Sequence, residues 1–509
     1  LTACAGSRSG GNDRVDATIA SAKWPLGSTV SSLDIANSFD LVSITVQSLA
    51  LEGLLKSGND LSLQPGLAIS HQQPDPLTWV FRLRDGVRFW DGSPLTPDDV
   101  VYSLNRHVGE KSTSILAGYF GKVKSVKASG PGEVTITLSE PDPFLPYILV
   151  FSHIHSKAFA APLGDQLGVA GPKVNVMGTG PFRVTSFASP SNLTVERHPG
   201  YWGPKPAVAK GVLNEITDTQ TRRLAMQSGE IDGAFGVPLA DTKAWSRIRG
   251  AKIQSAPGMQ VAYIAMNVTR PPFNDIHVRR AIAYALDKQG YIKAFLGGQG
   301  EPATTMVSPQ QWSGVMDPKT ARDRYATLPQ YPFDINRAKQ ELAQSAHASG
   351  FTQTVEFADS NPELGKVLVS LGETLKPLGI TLNVKEVPKQ QWLTHKRADV
   401  PPGMQIGFYS PDYADPANHL EVFYPSGATN NSTTYSSKAF EAALAKQRVA
   451  GGKARVEPLM EALKIAMTDL PYLPVYWGNQ VMAVKDGLAY DGFNGLFYFQ
   501  PWLGNLRRG

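Results

Sequence analysis

Residues 65–107 read PGLAISHQQPDPLTWVFRLRDGVRFWDGSPLTPDDVVYSLNRH and hold the densest set of local structure signals in the chain. Apolar and polar residues alternate on both sides of Asp85-Gly86, a dipeptide typical of β-hairpin turns, so we predict a hairpin here. A helix is expected to begin at Thr96, because Pro97 suits the first helical position and the two acidic residues after it favour the positive end of the helix dipole. A hairpin followed directly by a helix indicates a mixed α/β protein.

Strands and helices alternate along the rest of the chain, which also predicts α/β architecture. Gly229 is expected to end the helix that precedes it. The predicted elements are a first strand over 16–25, helices over 43–55, 219–228, 278–295, 438–448 and 457–470, strands over 133–141 and 231–235, and a helix leading into a strand over 362–387. No internal repeat is visible.

The composition of the 509-residue chain is that of an ordinary globular protein, with 42% hydrophobic and 18% charged residues. Its length predicts about three domains or lobes. The net charge of +5 is not gathered into a run of Lys and Arg, which argues against nucleic-acid binding. No apolar run is long enough to cross a bilayer. A single cysteine excludes an internal disulfide framework and a Cys-based zinc site.

The single cysteine is Cys4, in the sequence Leu-Thr-Ala-Cys, and the small polar residues that follow are typical of a flexible linker. The tetrapeptide resembles the lipobox of a bacterial lipoprotein signal, whose cysteine receives the lipid. We therefore expect residues 1–16 to be a lipobox remnant and tether, and Cys4 to carry acyl chains that anchor the protein to the cell membrane. This places the protein outside the cytoplasm, in the periplasm or on the outer face. A free cysteine in a frayed terminus is the alternative.

The segment 65–107 resembles the signature segment of the peptide-binding family of ABC-transporter solute-binding proteins, the oligopeptide- and dipeptide-binding type known as family 5. Other stretches resemble the family in the same order along the chain. They are LDIANSFDLVSITVQSLALEGLL from Leu33, GTGPFRVTSF from Gly178, YWGPKP from Tyr201, LAMQSGEIDGAF from Leu224, MNVTRPPFNDIHVRRAIAYALDK from Met266 and LPYLPVYWGNQ from Leu470. The resemblance covers essentially the whole chain after the tether.

The resemblance implies a bilobal α/β fold, of the periplasmic-binding-protein type II, with an extra subdomain and a ligand cleft between the lobes. Two crossovers of the chain then act as a hinge that closes on the ligand. The expected boundaries are 17–55, 174–267 and 478–509 for lobe I, 56–173 for the extra subdomain, and 268–477 for lobe II.

The family resemblance also implies an amine-binding carboxylate in the segment GFYSPDYADPANH, residues 407–419. Asp412 occupies its position and would pair with a peptide's α-amino group; an Asp that only forms a turn is the alternative. Tyr409 and Ser410 would offer a strand edge to the peptide main chain. Asp415 is interpreted as a turn residue.

Further ligand-binding residues follow from the same resemblance. Ser38, Phe39, Asp40 and Leu41 correspond to the lobe I segment that pairs with the peptide main chain. Trp392 resembles an aromatic residue near the pocket, although a plain core tryptophan is an open alternative. Asn430, Asn431 and Tyr435 look like the family's polar loop.

One departure from the family concerns ligand length. Dipeptide-restricted members carry an arginine that binds the ligand carboxylate, and the aligned position in EFADSNPELGK is Ala358. The absence of this arginine favours longer peptides.

These observations predict a monomeric lipoprotein that captures oligopeptides and delivers them to permease subunits driven by cytoplasmic ATPases, without a cofactor or catalysis. The alternatives are a non-peptide solute, such as haem or a metal complex, on the same fold, and an extracellular hydrolase. A hydrolase is less favoured because the Gly-x-Ser-x-Gly and His-Glu-x-x-His motifs are absent. His153 and His155 would share one face of a strand, but no third ligand lies nearby in sequence, so no metal site is expected.

Overall fold

The computed structural model describes residues 18–189, 192–396 and 403–509. It is a mixed α/β protein, as expected from the sequence. Its helices are Leu41–Ala50, Pro97–Asn105, Leu145–Phe151, Lys157–Ala160, Thr219–Ser228, Thr242–Trp245, Ile276–Tyr284, Lys288–Phe295, Pro318–Tyr325, Ile335–Ala343, Pro362–Leu375, Lys389–Lys396, Ala417–Phe423, Lys438–Val449 and Val456–Asp469. No helix in these ranges is long and apolar enough to span a bilayer.

Two sheets carry most of the strands that position the site. The six-stranded sheet has the order Gly300–Pro302, Tyr472–Gly478, Val261–Met266, Met404–Tyr409, Thr352–Ala358, Thr381–Val387. The sheet that we call the hairpin sheet has the order Ala68–Asp75, Thr78–Leu83, Glu133–Leu138, Val123–Gly130.

The remaining strands form smaller sheets. A four-stranded sheet has the order Ala22–Lys23, Lys210–Asn214, Asn192–Arg197, Phe182–Ser189. A three-stranded sheet has the order Gly233–Phe235, Gln480–Lys485, Ala251–Ala256, so the end of the chain pairs with its middle. Two-stranded sheets join Leu55–Ser57 to Leu63–Pro65 and Leu488–Tyr490 to Leu506–Arg508. The lobe boundaries given above stay a prediction.

The hairpin prediction around Asp85-Gly86 is wrong, because strand Thr78–Leu83 does not pair with the residues that follow this turn. Strand Thr78–Leu83 pairs antiparallel with the preceding strand Ala68–Asp75 and, on its other side, with Glu133–Leu138. A turn does form at Gly86, which has a φ of 75°. After this turn the chain leaves the hairpin sheet. Trp90 is buried in a different apolar cluster, which also contains Ala22 of the first strand.

The helix predicted from Thr96 is confirmed and spans Pro97–Asn105. Its start is fixed by a capping box, in which the side chain of Thr96 and the backbone of Asp99, and the side chain of Asp99 and the backbone of Thr96, are hydrogen-bonded. Asp99 Oδ2 accepts a hydrogen bond of 2.9 Å from the Thr96 amide. Gly229 ends the helix Thr219–Ser228 in the left-handed conformation, also as predicted.

Two other predictions are corrected. The expected single helix over 278–295 is two helices, Ile276–Tyr284 and Lys288–Phe295. The break lies at Asp287, whose side chain accepts from the Gly290 amide and so begins a new helix. The residues around His153 and His155 form a buried connection between two helices and not a strand.

The core runs continuously from the hairpin sheet to the six-stranded sheet. One apolar cluster contains Phe81 of the hairpin sheet, Phe151 of the helix Leu145–Phe151, and Val261 of the six-stranded sheet. The two sides of the molecule are therefore packed against each other, and the residues that could contact a ligand lie where they meet.

Candidate ligand-binding site

Asp412 lies just beyond the end of strand Met404–Tyr409, in the short segment that leads to helix Ala417–Phe423. Its Oδ2 accepts a hydrogen bond of 2.7 Å from the hydroxyl of Tyr119. Tyr119 belongs to the short 3₁₀ helix Ala117–Phe120, which precedes a strand of the hairpin sheet. The bond therefore joins the side of the molecule that carries the hairpin sheet to the side that carries the six-stranded sheet.

The carboxylate of Asp412 is half-buried, and no cationic side chain among the described residues pairs with it. Burial raises the pKa of Asp412, and the hydrogen bond from Tyr119 offsets this only in part. Burial and the charge of Asp412 together raise the pKa of both the Tyr409 and the Tyr498 hydroxyls. A half-buried carboxylate of this kind is stabilised when a cation approaches it. The site is thus electrostatically suited to an ammonium group.

An aromatic wall connects Asp412 to the predicted main-chain segment of lobe I. The ring centroids of Phe39 and Tyr119 lie 5.8 Å apart. Phe39 also contacts Phe151 at 5.1 Å, and Phe151 stacks on Phe499 at 5.0 Å. The cavity between this wall and Asp412 measures about 10 Å³, close to the space that one water molecule needs.

The four residues of the segment Ser38–Leu41 have different environments: some stabilise the start of a helix and others are exposed. Asp40 accepts from the amides of Val42 and Ser43 and so caps helix Leu41–Ala50, while Ser38 donates to its other oxygen at 2.6 Å. Those hydrogen bonds lower the pKa of Asp40 against the opposing effect of burial. Leu41 is 54% exposed. Phe39 is the member that contacts the wall beside Asp412, and the ligand role of all four stays a prediction.

The strand Met404–Tyr409 has a free edge at the predicted position. On one side it pairs along its whole length with Val261–Met266. On the other side its pairing with Thr352–Ala358 is a single residue pair, Gln405 with Glu356. Within the described ranges, residues 406–409 have no strand partner on that side, and Ser410 beyond them is exposed. The backbone there can accept an added strand.

Trp392 is half-buried and packs over the face of this strand at Gly407. A Cβ placed on Gly407 would be 3.1 Å from the indole ring, so the ring rests on the strand backbone. The Lys396 ammonium lies 5.4 Å from the Trp392 ring centroid and 5.8 Å from that of Tyr263. The arrangement places an aromatic surface and a cation beside the strand, and the contact of Trp392 with a ligand stays a prediction.

The side chain of Asn431 in the predicted polar loop forms its hydrogen bonds with other residues of the same loop. Asn431 donates to the Pro425 and Tyr435 carbonyls and accepts from the Thr433 hydroxyl at 2.9 Å. Tyr435 donates to Asp469 at 2.5 Å, away from Asp412. Asn430 is nearer to the free edge, since its side chain accepts from Lys396 at 3.3 Å.

Asp415 does more than form a turn. Its Oδ1 accepts from the Ala417 amide at 2.9 Å, as the turn interpretation expects. Both of its oxygens also accept from the Arg455 guanidinium, at 2.6 and 2.8 Å, and both side chains are buried. The turn interpretation is therefore incomplete, because it missed a buried ion pair that ties this loop to a distant helix.

A second contact across the cleft also escaped the sequence analysis. Tyr147, from helix Leu145–Phe151, places its hydroxyl so close to Gly314 that a Cβ there would lie 2.2 Å away. Tyr147 also stacks on Tyr413, with ring centroids 5.4 Å apart. Only a residue without a side chain allows this approach. Neither Tyr119 nor Tyr147 has a sequence signal that distinguishes it from a core tyrosine.

The two histidines of SHIHS are core residues. Burial lowers the pKa of His153 to about 3. His155 Nε2 lies 3.6 Å from Asp34, whose carboxylate is held by Arg106. No group of three potential metal ligands occurs among the described residues. Ala358, at the position of the dipeptide arginine, is buried at the end of its strand.

Comparison with known proteins gives the family. Residues 62–431 match the model of the bacterial extracellular solute-binding proteins, family 5 middle region. The chain belongs to this family. Its members in ABC transport systems bind peptides or related solutes outside the cytoplasm, and they are binding proteins and not enzymes.

Individual relatives agree with this assignment. The glutathione-binding protein GsiB of Escherichia coli strain K12 is 26% identical over 366 residues, which cover 70% of this chain and 68% of that protein. The periplasmic binding protein DppA of Helicobacter pylori, solved with the peptide STSA, superposes with a TM-score of 0.75 at 23% identity and covers 97% of this chain and 99% of its own.

A third relative was solved with a different kind of ligand. The binding protein AgaA of A. tumefacien R10, solved with agropinic acid, has a TM-score of 0.74 at 24% identity and covers 96% of this chain and 99% of its own. Together these matches establish the bilobal α/β fold of the family.

Proposed function

We propose that this family 5 protein captures oligopeptides in the cleft, with the peptide's α-ammonium on Asp412. The observation that carries the proposal is the half-buried Asp412 carboxylate, which accepts a hydrogen bond from the Tyr119 hydroxyl and has no cationic partner among the described residues. A binder that accepts many sequences needs a fixed contact to a group that every peptide has, and the free amine is such a group. The loss of its hydration is offset when a buried carboxylate replaces the water.

The main chain of the ligand adds to the free edge at residues 406–410. Backbone hydrogen bonds to a strand edge give affinity that is independent of side chains. Asp412 lies directly after this edge and so sets the register in which the ligand adds. Trp392 and Phe39 then border the ligand from opposite sides of the cleft.

The cellular role follows from the family and from the residues around Cys4, which lie outside the described part of the chain. The Leu-Thr-Ala-Cys motif and the Gly/Ser-rich tether support a lipid anchor at the outer face of the cell membrane or in the periplasm. The protein then acts as a monomer that delivers its peptide to permease subunits with cytoplasmic ATPases, and it releases the peptide unchanged.

The experiment that tests this function is titration calorimetry with a tetrapeptide and its N-acetylated form. The free peptide should bind, and acetylation should weaken binding by at least about tenfold, since it removes the charge that pairs with Asp412. Mass spectrometry of any solute released on denaturation identifies natural ligands. Equal affinity for the two forms of the tetrapeptide would remove the basis of the proposal.

A non-peptide solute that carries an amine is the second candidate. The observation that favours it is the small cavity of about 10 Å³ beside Asp412, which fits an ammonium group more readily than a whole peptide residue. In this case released ligand would lack peptide bonds, and tetrapeptides would fail to compete with it in calorimetry.

A further inference from the structure

A second and larger cavity lies beside the Asp412 site. Its volume is about 430 Å³, and its lining includes Trp79 and Asp142 from one side of the molecule and Val315 and Arg455 from the other. Because both sides contribute, the cavity is complete only when the two sides are packed together. Such a pocket is a natural place for part of a ligand.

Asp142 presents an unused carboxylate oxygen in this cavity. The residue is 6% exposed, and its Oδ1 accepts a hydrogen bond of 2.9 Å from the Phe144 amide. Its other oxygen accepts no hydrogen bond from the residues that the structure describes. Burial raises the pKa of Asp142, and the charges of Glu421 and Glu140 add to this effect. The charge of Lys122 opposes this effect, but Lys122 is itself paired with Glu140 at 3.2 Å.

The arginines in the cavity wall do not neutralise Asp142, because each is paired elsewhere. Arg455 forms two bonds with Asp415. Arg448 is bound to Glu421. Their charges cancel within these pairs, so the excess charge in the cavity wall comes from two carboxylates, Asp142, which is buried, and Asp75, which is exposed. A ligand cation placed there would be attracted and not repelled.

The cavity adjoins the Asp412 site through a wall of tyrosine rings. Tyr147 lines both cavities. Tyr413, next to Asp412 in the chain, stacks on Tyr147 at 5.4 Å and on Phe144 at 5.8 Å. Phe144 is the residue whose amide binds Asp142. The two cavities therefore lie on either side of Tyr147, and a side chain whose α-ammonium is bound to Asp412 would have to pass along these rings to approach Asp142.

We propose that Asp142 binds the cationic side chain of the ligand's first residue, so that the protein selects peptides beginning with Lys or Arg. This inference rests on the proposed function, in which the α-ammonium of that same residue lies on Asp412. Lys and Arg have long apolar stems that can lie along aromatic rings while their charged ends reach a polar partner. Two separated carboxylates then match the two positive charges of one basic residue.

The test compares Lys-Ala-Ala-Ala with the same peptide beginning with norleucine, which has a similar stem and no charge. Calorimetry on the wild-type protein should give the lysine peptide an advantage of about tenfold or more, as expected for a partly desolvated ion pair. Asp142→Asn should abolish this advantage and leave the affinity for the norleucine peptide unchanged. The Asn side chain retains an oxygen for the Phe144 amide, so the start of helix Leu145–Phe151 is preserved.

Asp75→Asn is the matched control, since Asp75 also lines the cavity and its carboxylate likewise accepts a backbone amide, that of Leu77. This variant should keep the preference for lysine. If the wild type binds both peptides equally well, the inference about Asp142 is wrong while the peptide function stands. If neither peptide binds, the proposed function itself fails. If Asp142→Asn weakens both peptides alike, Asp142 has a structural role only.

Discussion

Tyr119 and Asp412 form a hydrogen bond of 2.7 Å that crosses the ligand cleft, the tyrosine coming from beside the hairpin sheet and the aspartate from the end of a strand in the six-stranded sheet. The bond gives the closed arrangement a polar contact at the place where we propose that the ligand amine lies. The amine can use the remaining lone pairs of the carboxylate, so Tyr119 and the ligand can bind it together. Asp412 would thus bind the ligand amine and Tyr119 at the same time, which couples closure of the cleft to ligand binding.

The first prediction concerns the charge of Asp412. Burial raises its pKa above the ordinary value. An acid with a raised pKa in the folded state destabilises that state at pH values above the pKa, and the penalty disappears as the pH falls and the group is protonated. Asp412→Asn should therefore raise the melting temperature at neutral pH and have a smaller effect in acid. Thermal unfolding across this pH range is the measurement.

The same substitution should have the opposite effect on binding. Removing one partner of a buried charge pair costs about 2–5 kcal/mol, so the affinity of free-amine peptides should fall by one to several powers of ten. N-acetylated peptides should lose little further affinity in the variant. A variant that binds free peptides as tightly as the wild type would show that the amine lies elsewhere.

A second prediction concerns ligand length. The buried Ala358 offers no charge for the carboxylate of a dipeptide, whereas the free strand edge at residues 406–410 can pair with several residues. Tetrapeptides should bind more tightly than dipeptides of related composition in calorimetry. A clear preference for dipeptides would contradict both the alignment at Ala358 and the strand-addition mode.

A third prediction concerns the buried pair of Arg455 and Asp415. Arg455→Met should destabilise the protein by about 3–5 kcal/mol, because it leaves the Asp415 carboxylate buried without its partner. Chemical denaturation measures the loss. Replacing both partners by apolar residues should cost less than the single change. Lys319→Met breaks an exposed pair with Asp323 and is the control, with little expected effect.

Local signals in the sequence predicted the elements well where the deciding residues are close together. The helix from Thr96 is set by its own first turn, and Gly229 ends its helix through its own backbone conformation. The hairpin failed because the partner of strand Thr78–Leu83 is chosen by burial of the whole sheet and not by the turn at Gly86. Trp90, which follows that turn, packs in a different apolar cluster.

The candidate site shows the same difference between local signals, which the sequence reveals, and long-range contacts, which it does not. Asp412 was predicted as the amine-binding residue because the family resemblance places it within a short motif, and that role stays a prediction. Tyr119 was missed because its partner is 293 residues away in the chain, and no local pattern marks a tyrosine that will cross a cleft. Asp142 likewise reads as a turn residue between prolines, and its unused oxygen becomes visible only when the cavity around it is assembled.

A fourth prediction concerns Cys4. If it carries a lipid, Cys4→Ala in the full precursor should release the protein from the membrane fraction, because acyl chains and no spanning helix would hold it there. Peptide affinity should be unchanged, since none of the proposed ligand-binding residues belongs to the tether. Continued membrane association of the variant would contradict the lipid anchor, and Ser7→Ala in the same tether is the control that should stay membrane-bound.

The last prediction concerns Gly314, which lets Tyr147 close the second contact across the cleft. A Cβ at this position would lie 2.2 Å from the Tyr147 hydroxyl, a separation that forces one side to move. Tyr147 is buried and its ring stacks on Tyr413, so it cannot yield cheaply. Overpacking of this kind typically costs about 1–3 kcal/mol. Gly314→Ala should therefore oppose closure and weaken peptide binding by about tenfold or more.

A form in which the two sides are apart would lack this contact, so the unfolding of the ligand-free open protein should change little in the Gly314 variant. Small-angle scattering in the presence of saturating peptide should report a larger radius for the variant than for the wild type. Tyr147→Phe removes the hydroxyl that meets the new methyl group, and combining it with Gly314→Ala should restore part of the lost affinity. Gly118→Ala is the matched control, because a Cβ there meets nothing within 4 Å. If Gly314→Ala binds peptide as the wild type does, the cleft closes on its ligand without the approach of Tyr147 to Gly314.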